Sequence, residues 1–187
     1  MKVISGTARG KNLATLDGLA TRPTIARVKE AIFSAVQFLV PGANVLDLFA
    51  GSGQMGIEAL SRGALKCTFV DESKEAIAVV NENLKDTGLV KNAKVITTSA
   101  DTALSFLLGS KEKFQVVFLD PPYNKGTLQN VLPRVAQVCA PNGVVFCESE
   151  IEIDLPQQVE NLTKVKQYKY GKVLVTKYQY LTQGEEE

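Results

Sequence analysis

The chain has 187 residues, of which 45% are hydrophobic and 22% are charged, with a formal net charge of +1. These values are typical of a soluble α/β domain with a substantial core, and no apolar run approaches the ~20 residues that a membrane helix needs. Histidine is absent, which excludes a Ser–His–Asp triad and a histidine-ligated metal. Three cysteines lie in separate apolar runs without metal-ligand spacing, and the N-terminus does not resemble a signal peptide. We therefore expect a cytoplasmic protein with reduced thiols and no bound metal.

Charge is unevenly distributed along the chain. Residues 1–40 contain six Lys or Arg against two acids, residues 164–180 contain five lysines and no acid, and residues 183–187 include three final glutamates. Two basic segments around a more acidic middle favour a nucleic-acid partner. The alternative is two solvated basic faces, and charge alone does not separate these hypotheses.

Residues 2–16 suit two short strands on either side of Gly6 and Gly10. The pattern predicts a small basic hairpin with Arg9 and Lys11 near its tip. We expect these two side chains to contact RNA phosphates, which position RNA without reading its sequence.

A loop and a helix follow the predicted hairpin. Thr24 is a suitable N-cap for an amphipathic helix over residues 25–39. Three cations, Arg22, Arg27 and Lys29, are grouped around this loop. They are either solvated charges or further RNA contacts.

The central motif begins with the apolar run 45–49, which is interrupted only by Asp47. Gly51, Gly53 and Gly56 follow with the spacing G-x-G-x-x-G, which predicts a buried strand, a glycine turn and a helix N-terminus with free amides. A carboxylate at Asp47 would repel a pyrophosphate but suits the cationic S-adenosylmethionine. The motif therefore favours S-adenosylmethionine over a dinucleotide, and the alternative interpretation is a turn with two helix-capping acids.

Two further acids follow predicted strands. Asp71 ends the run 67–71, twenty residues after Gly51, where a carboxylate can accept hydrogen bonds from both ribose hydroxyls. Asp101 comes just after a strand at 93–97. It could accept a hydrogen bond from the adenine amine or cap a helix over 102–108, and both roles fit equally well.

The remaining pattern alternates strands with helices. We predict further strands at 66–70, 114–119 and 144–148, helices at 53–62, 74–87 and 128–139 (with Pro133 near the first turns of the last), and a final hairpin of 165–170 and 172–180. Such alternation predicts a doubly wound, mostly parallel sheet with one antiparallel strand. Its ligand should bind at the carboxyl ends of the strands, where the strand order reverses.

The sequence Asp-Pro-Pro-Tyr at 120–123 directly follows the strongly apolar strand 114–119. Prolines stiffen the backbone, so the Pro121 carbonyl and the Asp120 carboxylate can offer two acceptors to an exocyclic amine. Two such hydrogen bonds favour a pyramidal nitrogen and orient its lone pair towards a methyl donor. Transfer of the methyl group would then depend largely on positioning. Asp120 can also accept the released proton, and Tyr123 can stack on a base with about 1–3 kcal/mol. The alternative interpretation of the motif is a rigid turn.

Together these segments resemble class I methyltransferases, and more closely the bacterial family of small-subunit ribosomal RNA guanine-N2 methyltransferases. The resemblance is carried by residues 4–11, 21–24, 27–33, 47–53, 58–64, 120–123 and 170–171. It implies a seven-stranded, Rossmann-like sheet over residues 19–182, an N-terminal hairpin extension over 1–18 and an acidic tail at 183–187. It also implies a monomer that transfers a methyl group from S-adenosylmethionine, leaving S-adenosylhomocysteine, to a guanine of 16S rRNA. The substrate could be an assembly intermediate with ribosomal proteins.

The resemblance further implies site residues. The catalytic set that holds the guanine is Asp120, Pro121, Pro122 and Tyr123. The cofactor set is Thr24, Asp47, Phe49, Ala50, Gly51, Gly53, Asp71, Glu72, Ala100 and Asp101, and the RNA-binding set is Arg9, Lys11, Arg22 and Arg27. The pair Gln54-Met55 and the segment 147–150 depart from the usual pattern.

The same motifs are also compatible with other functions. The Asp-Pro-Pro-Tyr loop also suits an adenine-N6 or glutamine-N5 methyltransferase. The three glycines suit a nicotinamide-dependent dehydrogenase. A binding-only RNA module is a third alternative, although both motifs are intact.

Overall fold

The computed structural model describes residues 1–16, 23–122 and 126–182. The first two residues of the predicted loop at 21–24, the phosphate contact of Arg22, the stacking role of Tyr123 and the tail at 183–187 therefore lie outside the described residues. The side chain of Thr24 is also outside this description. Within the described ranges no helix is both long and apolar enough to cross a membrane.

An eight-stranded sheet forms the centre of the described residues, in the order β3-β2-β1-β4-β5-β8-β7-β6. Strands β1 to β5 are mutually parallel, β8 runs antiparallel to β5 and β7, and β6 runs antiparallel to β7. The order reverses at β1 and β4, where ligands of doubly wound folds bind. The strands are β1 Asn44–Asp47, β2 Lys66–Asp71, β3 Ala93–Thr97, β4 Phe114–Leu119, β5 Cys139–Glu150, β6 Gln158–Val159, β7 Leu162–Tyr170 and β8 Val173–Tyr180.

Helices cover both faces of the sheet. Residues of α1, α2 and α3 form one apolar cluster with one face, and residues of α4 and α5 form a second cluster with the other. The helices are α1 Pro23–Ala35, α2 Gln54–Ser61, α3 Lys74–Thr87, α4 Ala100–Ser110 and α5 Thr127–Val138, and a 3-10 turn spans Val90–Asn92. This arrangement confirms the predicted doubly wound α/β class. Because β1, β2 and β4 are buried on both faces, they are near-continuous apolar runs in the sequence.

The sheet and two helices differ in detail from the prediction. The eighth strand is the two-residue β6, and two strands rather than one run against the parallel set. Helix α1 begins at Pro23, so Thr24 lies inside the helix rather than at its N-cap. Proline suits this first helical position because its missing N–H would be unpaired there. Pro133 is the seventh residue of α5, beyond the first turn.

Residues 1–16 pack on α2 and α3, and the predicted hairpin closes on one antiparallel bridge between Lys2 and Asn12. The Glu58 carboxylate accepts hydrogen bonds from the backbone of Ile4 (2.8 Å) and Ser5 (3.0 Å). On α3, the Asn83 side chain bonds both backbone groups of Ala14, at 2.7 and 3.0 Å. The two arms of the hairpin also pair through backbone hydrogen bonds between Val3 and Lys11 and between Leu13 and Met1, so the side-chain contacts with the helices add to the predicted strand pairing.

Gly6 and Gly10 allow a test of this docking. Both have positive φ, +84° and +82°, but a Cβ on Gly6 would lie 1.7 Å from the Ser61 carbonyl oxygen, whereas one on Gly10 meets nothing within 4 Å. We expect Gly10→Ala to cost only the left-handed backbone penalty, about 1–2 kcal/mol. Gly6→Ala should reduce the free energy of unfolding by more than this, because the segment must also move off α2. Urea unfolding of both variants measures the difference, and equal losses would show that the Gly6 contact does not hold the segment.

Candidate active site

The glycine turn joins β1 to α2 beside the point where the strand order reverses. Gly51 and Gly53 have φ of +53° and +76°, which side chains rarely tolerate, and the Gly53 N–H donates to the Ala50 carbonyl at 2.7 Å. Gly56 is required for close packing rather than for a positive φ, because a Cβ there would lie 2.2 Å from the Phe69 ring. The turn thus brings the first turn of α2 close against β2.

Asp47 ends β1 and is almost completely buried, with 3% exposure. Its Oδ2 accepts the Gly56 N–H at 2.9 Å, so the carboxylate binds one of the free amides at the start of α2. Burial raises the pKa of Asp47 to about 7; the Gly56 hydrogen bond opposes this shift and the charge of Asp71 adds to it. Asp47 therefore titrates near neutrality.

This titration predicts a pH-dependent stability. A carboxyl group with a raised pKa in the folded state stabilises fully below its unfolded pKa, near 4, and loses that contribution as pH rises towards 7. Asparagine does not titrate, so in Asp47→Asn we expect the free energy of unfolding to lack this decrease with rising pH. The decrease amounts to roughly a few kcal/mol. Urea unfolding at pH 4.5 and pH 7.5 measures it. A wild-type-like pH slope in Asp47→Asn would contradict the shift.

Asp71 connects the turn to the end of β2. Its Oδ2 accepts the Gly51 N–H and its Oδ1 accepts the Ser73 N–H, both at 2.9 Å. A carboxylate oxygen has two acceptor sites, so each oxygen can still accept a ligand hydroxyl. Glu72 is exposed beside it, whereas Phe49 is half-buried and Ala50 is buried in the turn.

Asp101 is not the cap of α4, because the helix begins earlier than predicted. Ser99 is the N-cap, and its Oγ accepts the Thr102 N–H. Asp101 lies in the first turn, after the half-buried Ala100, and accepts a hydrogen bond from the Arg134 guanidinium at 3.1 Å. Of the two predicted roles of Asp101, the helix cap is excluded. The adenine contact stays a prediction, and Asp101 would make it beside its ion pair with Arg134.

Asp120 follows β4 directly and lies in the same pocket as the start of α2. β4 pairs with β1, Phe118 opposite Asp47, which places the carboxyl ends of both strands side by side. Gln54 and Met55 of α2, Asp120 and Glu148 all line this pocket, together with residues of α1. The geometry therefore brings the two sequence motifs together. Pro121 is buried and Pro122 exposed, and both line an adjoining pocket that Glu148 also lines.

The electrostatics of the pocket are dominated by carboxylates. Asp120 is exposed to the pocket, yet the protein atoms around it exclude much of the water from its carboxylate. This desolvation, followed by the negative charges of Glu148 and Asp47, raises the pKa of Asp120. A raised pKa makes Asp120 a stronger proton acceptor than an ordinary carboxylate.

The described candidates for RNA binding are exposed. Arg9 lies in the turn between Gly6 and Gly10, Arg27 lies on α1, and the exposed Lys11 donates to the Asp86 carbonyl at 2.6 Å. Lys29, grouped with them in the sequence, is only 2% exposed and pairs with Glu58 at 3.2 Å. It is therefore unavailable to RNA, because helix periodicity turns it towards the core.

Sequence reasoning missed Glu148 as a site residue. It is a half-buried acid that follows the apolar run 144–147 of β5, and it lines both pockets. The available signal was the acidic end of the strand at 148–150, in the segment that departs from the usual pattern of the family.

The strand order, the glycine turn and the acids at the strand ends define a class I methyltransferase fold. The chain belongs to the family described as "Conserved hypothetical protein 95", whose model matches residues 1–179. The coarser part of the predicted resemblance, to ribosomal RNA methyltransferases, is confirmed by the relatives of the chain and by a solved structure.

Two relatives carry names of ribosomal RNA methyltransferases. The chain is 40% identical over 173 residues to "Putative rRNA methyltransferase YlbH" of Bacillus subtilis, covering 91% of this chain and 94% of the relative. It is 33% identical over 189 residues to "Ribosomal RNA small subunit methyltransferase D" of Escherichia coli, covering 99% and 92%. The solved structure of the Escherichia coli protein yhhF superposes with a TM-score of 0.85 at 33% identity, covering 98% of this chain and 99% of that one.

Proposed function

We propose that this protein transfers a methyl group from S-adenosylmethionine to the exocyclic N2 amine of a guanine in small-subunit ribosomal RNA. The observation that carries the proposal is the shared pocket of Asp120 and the first residues of α2. A methyl donor over the glycine turn and an amine held at Asp120 would then be neighbours.

The residues of the glycine turn suit S-adenosylmethionine, which supplies an electrophilic methyl group when bound. Asp71 would accept hydrogen bonds from the ribose, beside the exposed Glu72, and Ala100 and Asp101 would border the adenine. Asp47, Phe49, Ala50, Gly51 and Gly53 would border the methionine end, with Thr24 over it. The buried Gln54 Oε1 supports this fit because it has no hydrogen-bond partner among the described residues. It can accept a hydrogen bond from a cationic ligand.

The Asp120 carboxylate and the Pro121 carbonyl would hold the two protons of the amine. The raised pKa of Asp120 supports its second role as the acceptor of the proton that the methylated nitrogen releases. Pro121 and Pro122 would fix the direction of the carbonyl, because proline restricts the backbone. Tyr123 is proposed to stack on the guanine.

The exposed Arg9, Lys11 and Arg27, together with Arg22, are proposed to contact RNA phosphates. The names of the two relatives support ribosomal RNA as the substrate class. Such a substrate would place the reaction in the cytoplasm, where a monomer would act on RNA alone or on an assembly intermediate with ribosomal proteins. A looped nucleotide suits the pocket better than a paired one, since flipping a paired base costs about a few kcal/mol.

The experiment is methyl mapping on small ribosomal subunits from cells that lack the gene. The protein and labelled S-adenosylmethionine are added to these subunits, to their naked RNA, to DNA and to ribosomal protein, and labelled nucleosides are identified by mass spectrometry. We expect one N2-methylguanosine in the small-subunit RNA. Label only in N6-methyladenosine, in DNA or in glutamine would overturn the proposal.

A further inference from the structure

Glu148 lies beside Asp120 at the carboxyl ends of two neighbouring parallel strands. Leu119 of β4 pairs with Cys147 of β5, so the next residue on each strand is Asp120 and Glu148. The preceding pair on the same face, Phe118 and Phe146, has stacked rings 6.1 Å apart. Since side chains two residues apart share a face of a strand, both carboxylates belong to the pocket side of the sheet.

Neither carboxylate has a hydrogen-bond or ion-pair partner on the residues that the structure describes. Among the described residues that line the pocket, the cation is Lys29, and its ammonium is engaged by Glu58 at 3.2 Å and by the Lys2 carbonyl at 2.9 Å. The two carboxylates therefore leave acceptor oxygens free at one edge of a pocket whose other lining is mainly apolar. A molecule that binds there must bring several N–H or O–H donors.

Guanine provides these donors on one edge. Its N1–H and its N2 amine are adjacent and point in the same direction, whereas adenine has an acceptor lone pair at N1. An ionised carboxylate can only accept hydrogen bonds, so it would pair with the N1–H of guanine and repel the N1 lone pair of adenine.

We propose that Glu148 determines base specificity by accepting the guanine N1–H while Asp120 and Pro121 hold the N2 amine. This inference rests on the proposed function, and it adds the residue that selects guanine from other bases with an exocyclic amine. Two acids side by side repel each other: burial raises the pKa of Glu148, and desolvation followed by the charge of Glu148 raises the pKa of Asp120. Donors on the guanine edge would relieve this repulsion.

The test uses ribosomal subunits reconstituted with guanosine or 2-aminopurine at the nucleotide found by methyl mapping. 2-Aminopurine keeps the N2 amine but has a lone pair at N1. We expect wild-type kcat/KM to fall by about 100-fold or more on 2-aminopurine, as for sites that require a substrate N–H. In Glu148→Gln the amide can donate to that lone pair, so we expect the guanosine-to-2-aminopurine ratio to shrink at least tenfold.

The comparison between enzymes isolates the N1 contact, because the missing O6 of 2-aminopurine affects every enzyme alike. Glu152→Gln, an exposed substitution just beyond β5, is the matched control and should keep the wild-type ratio. An unchanged ratio in folded Glu148→Gln, or wild-type turnover of 2-aminopurine within threefold of guanosine, would overturn the inference.

A binding measurement keeps the inference testable if Glu148→Gln does not fold. Subunits with inosine, which keeps N1–H but lacks the amine, should compete for wild-type enzyme better than subunits with 2-aminopurine. Equal or weaker competition by inosine would overturn the inference. Failure of the proposed function gives a different result, since no N2-methylguanosine would then form on any subunit.

Discussion

Replacing Asp120 with alanine should lower kcat by about two to four orders of magnitude, the range expected when a positioned proton acceptor is removed. The same change also removes one of the two acceptors proposed to orient the amine. Asp120 lies in the pocket at the end of β4, whereas the glycine turn is held by Asp47 and Asp71. We therefore expect the Kd for S-adenosylhomocysteine to change less than about threefold, well under 1.4 kcal/mol.

Single-turnover methyl transfer and calorimetry measure the two quantities separately. Asp120→Asn is the matched variant, because its amide oxygen can still accept a hydrogen bond from the amine but is a far weaker base. We expect its rate to lie between those of wild type and Asp120→Ala. Equal losses of turnover and cofactor affinity in Asp120→Ala would contradict the division of roles.

Replacing Glu58 with alanine should reduce the free energy of unfolding by about 3–5 kcal/mol, the usual cost of removing one partner from a buried ion pair. Glu58 is fully buried, and it pairs with Lys29 at 3.2 Å and Arg62 at 2.8 Å. It also accepts the backbone N–H groups of Ile4 and Ser5. Without the carboxylate, a buried ammonium and two backbone donors lose their acceptor.

Burial lowers the pKa of Lys29, and the neighbouring Glu58 opposes that shift. In Glu58→Ala the lysine can therefore lose its proton more easily, which limits the loss of stability at high pH. Urea unfolding at pH 7 measures the main effect. Glu112→Gln is the control, because its pairs with Lys66 and Lys94 are partly exposed and should contribute less than about 1 kcal/mol. If both variants lost a similar free energy of unfolding, the burial of the Glu58 network would not explain its contribution to stability.

The strands, the helices that follow them and the fold class were predictable because each depends on local patterns. β4 was predicted as 114–119 and α3 as 74–87, and both have these bounds in the structure. A strand buried on both faces is an apolar run, and α3 has a serine N-cap and a glycine in the left-handed conformation at its end. Such signals lie within a few residues of the element that they define.

The hairpin of the N-terminal segment was predictable from its local pattern, but the surface on which it packs and the ends of two helices were not. Residues 2–16 have a hairpin pattern, yet Glu58 and Asn83, far along the chain, accept their backbone N–H groups. Lys29 appears in the sequence as one cation of a basic cluster. Helix periodicity turns it towards the core, but Glu58, the acid that pairs with it there, is brought next to it only by the tertiary structure.

The sequence by itself determined the alternation of strands and helices, the glycine turn and the acids at the ends of β1, β2 and β4, because these depend on neighbouring residues and fixed spacings. Only the tertiary structure decided that Glu148 stands beside Asp120 in the pocket that begins at Gln54. The three residues are separated by 66 and 28 positions in the chain. Strand order and register bring them together, and both are set by long-range packing of the sheet, which no local pattern encodes.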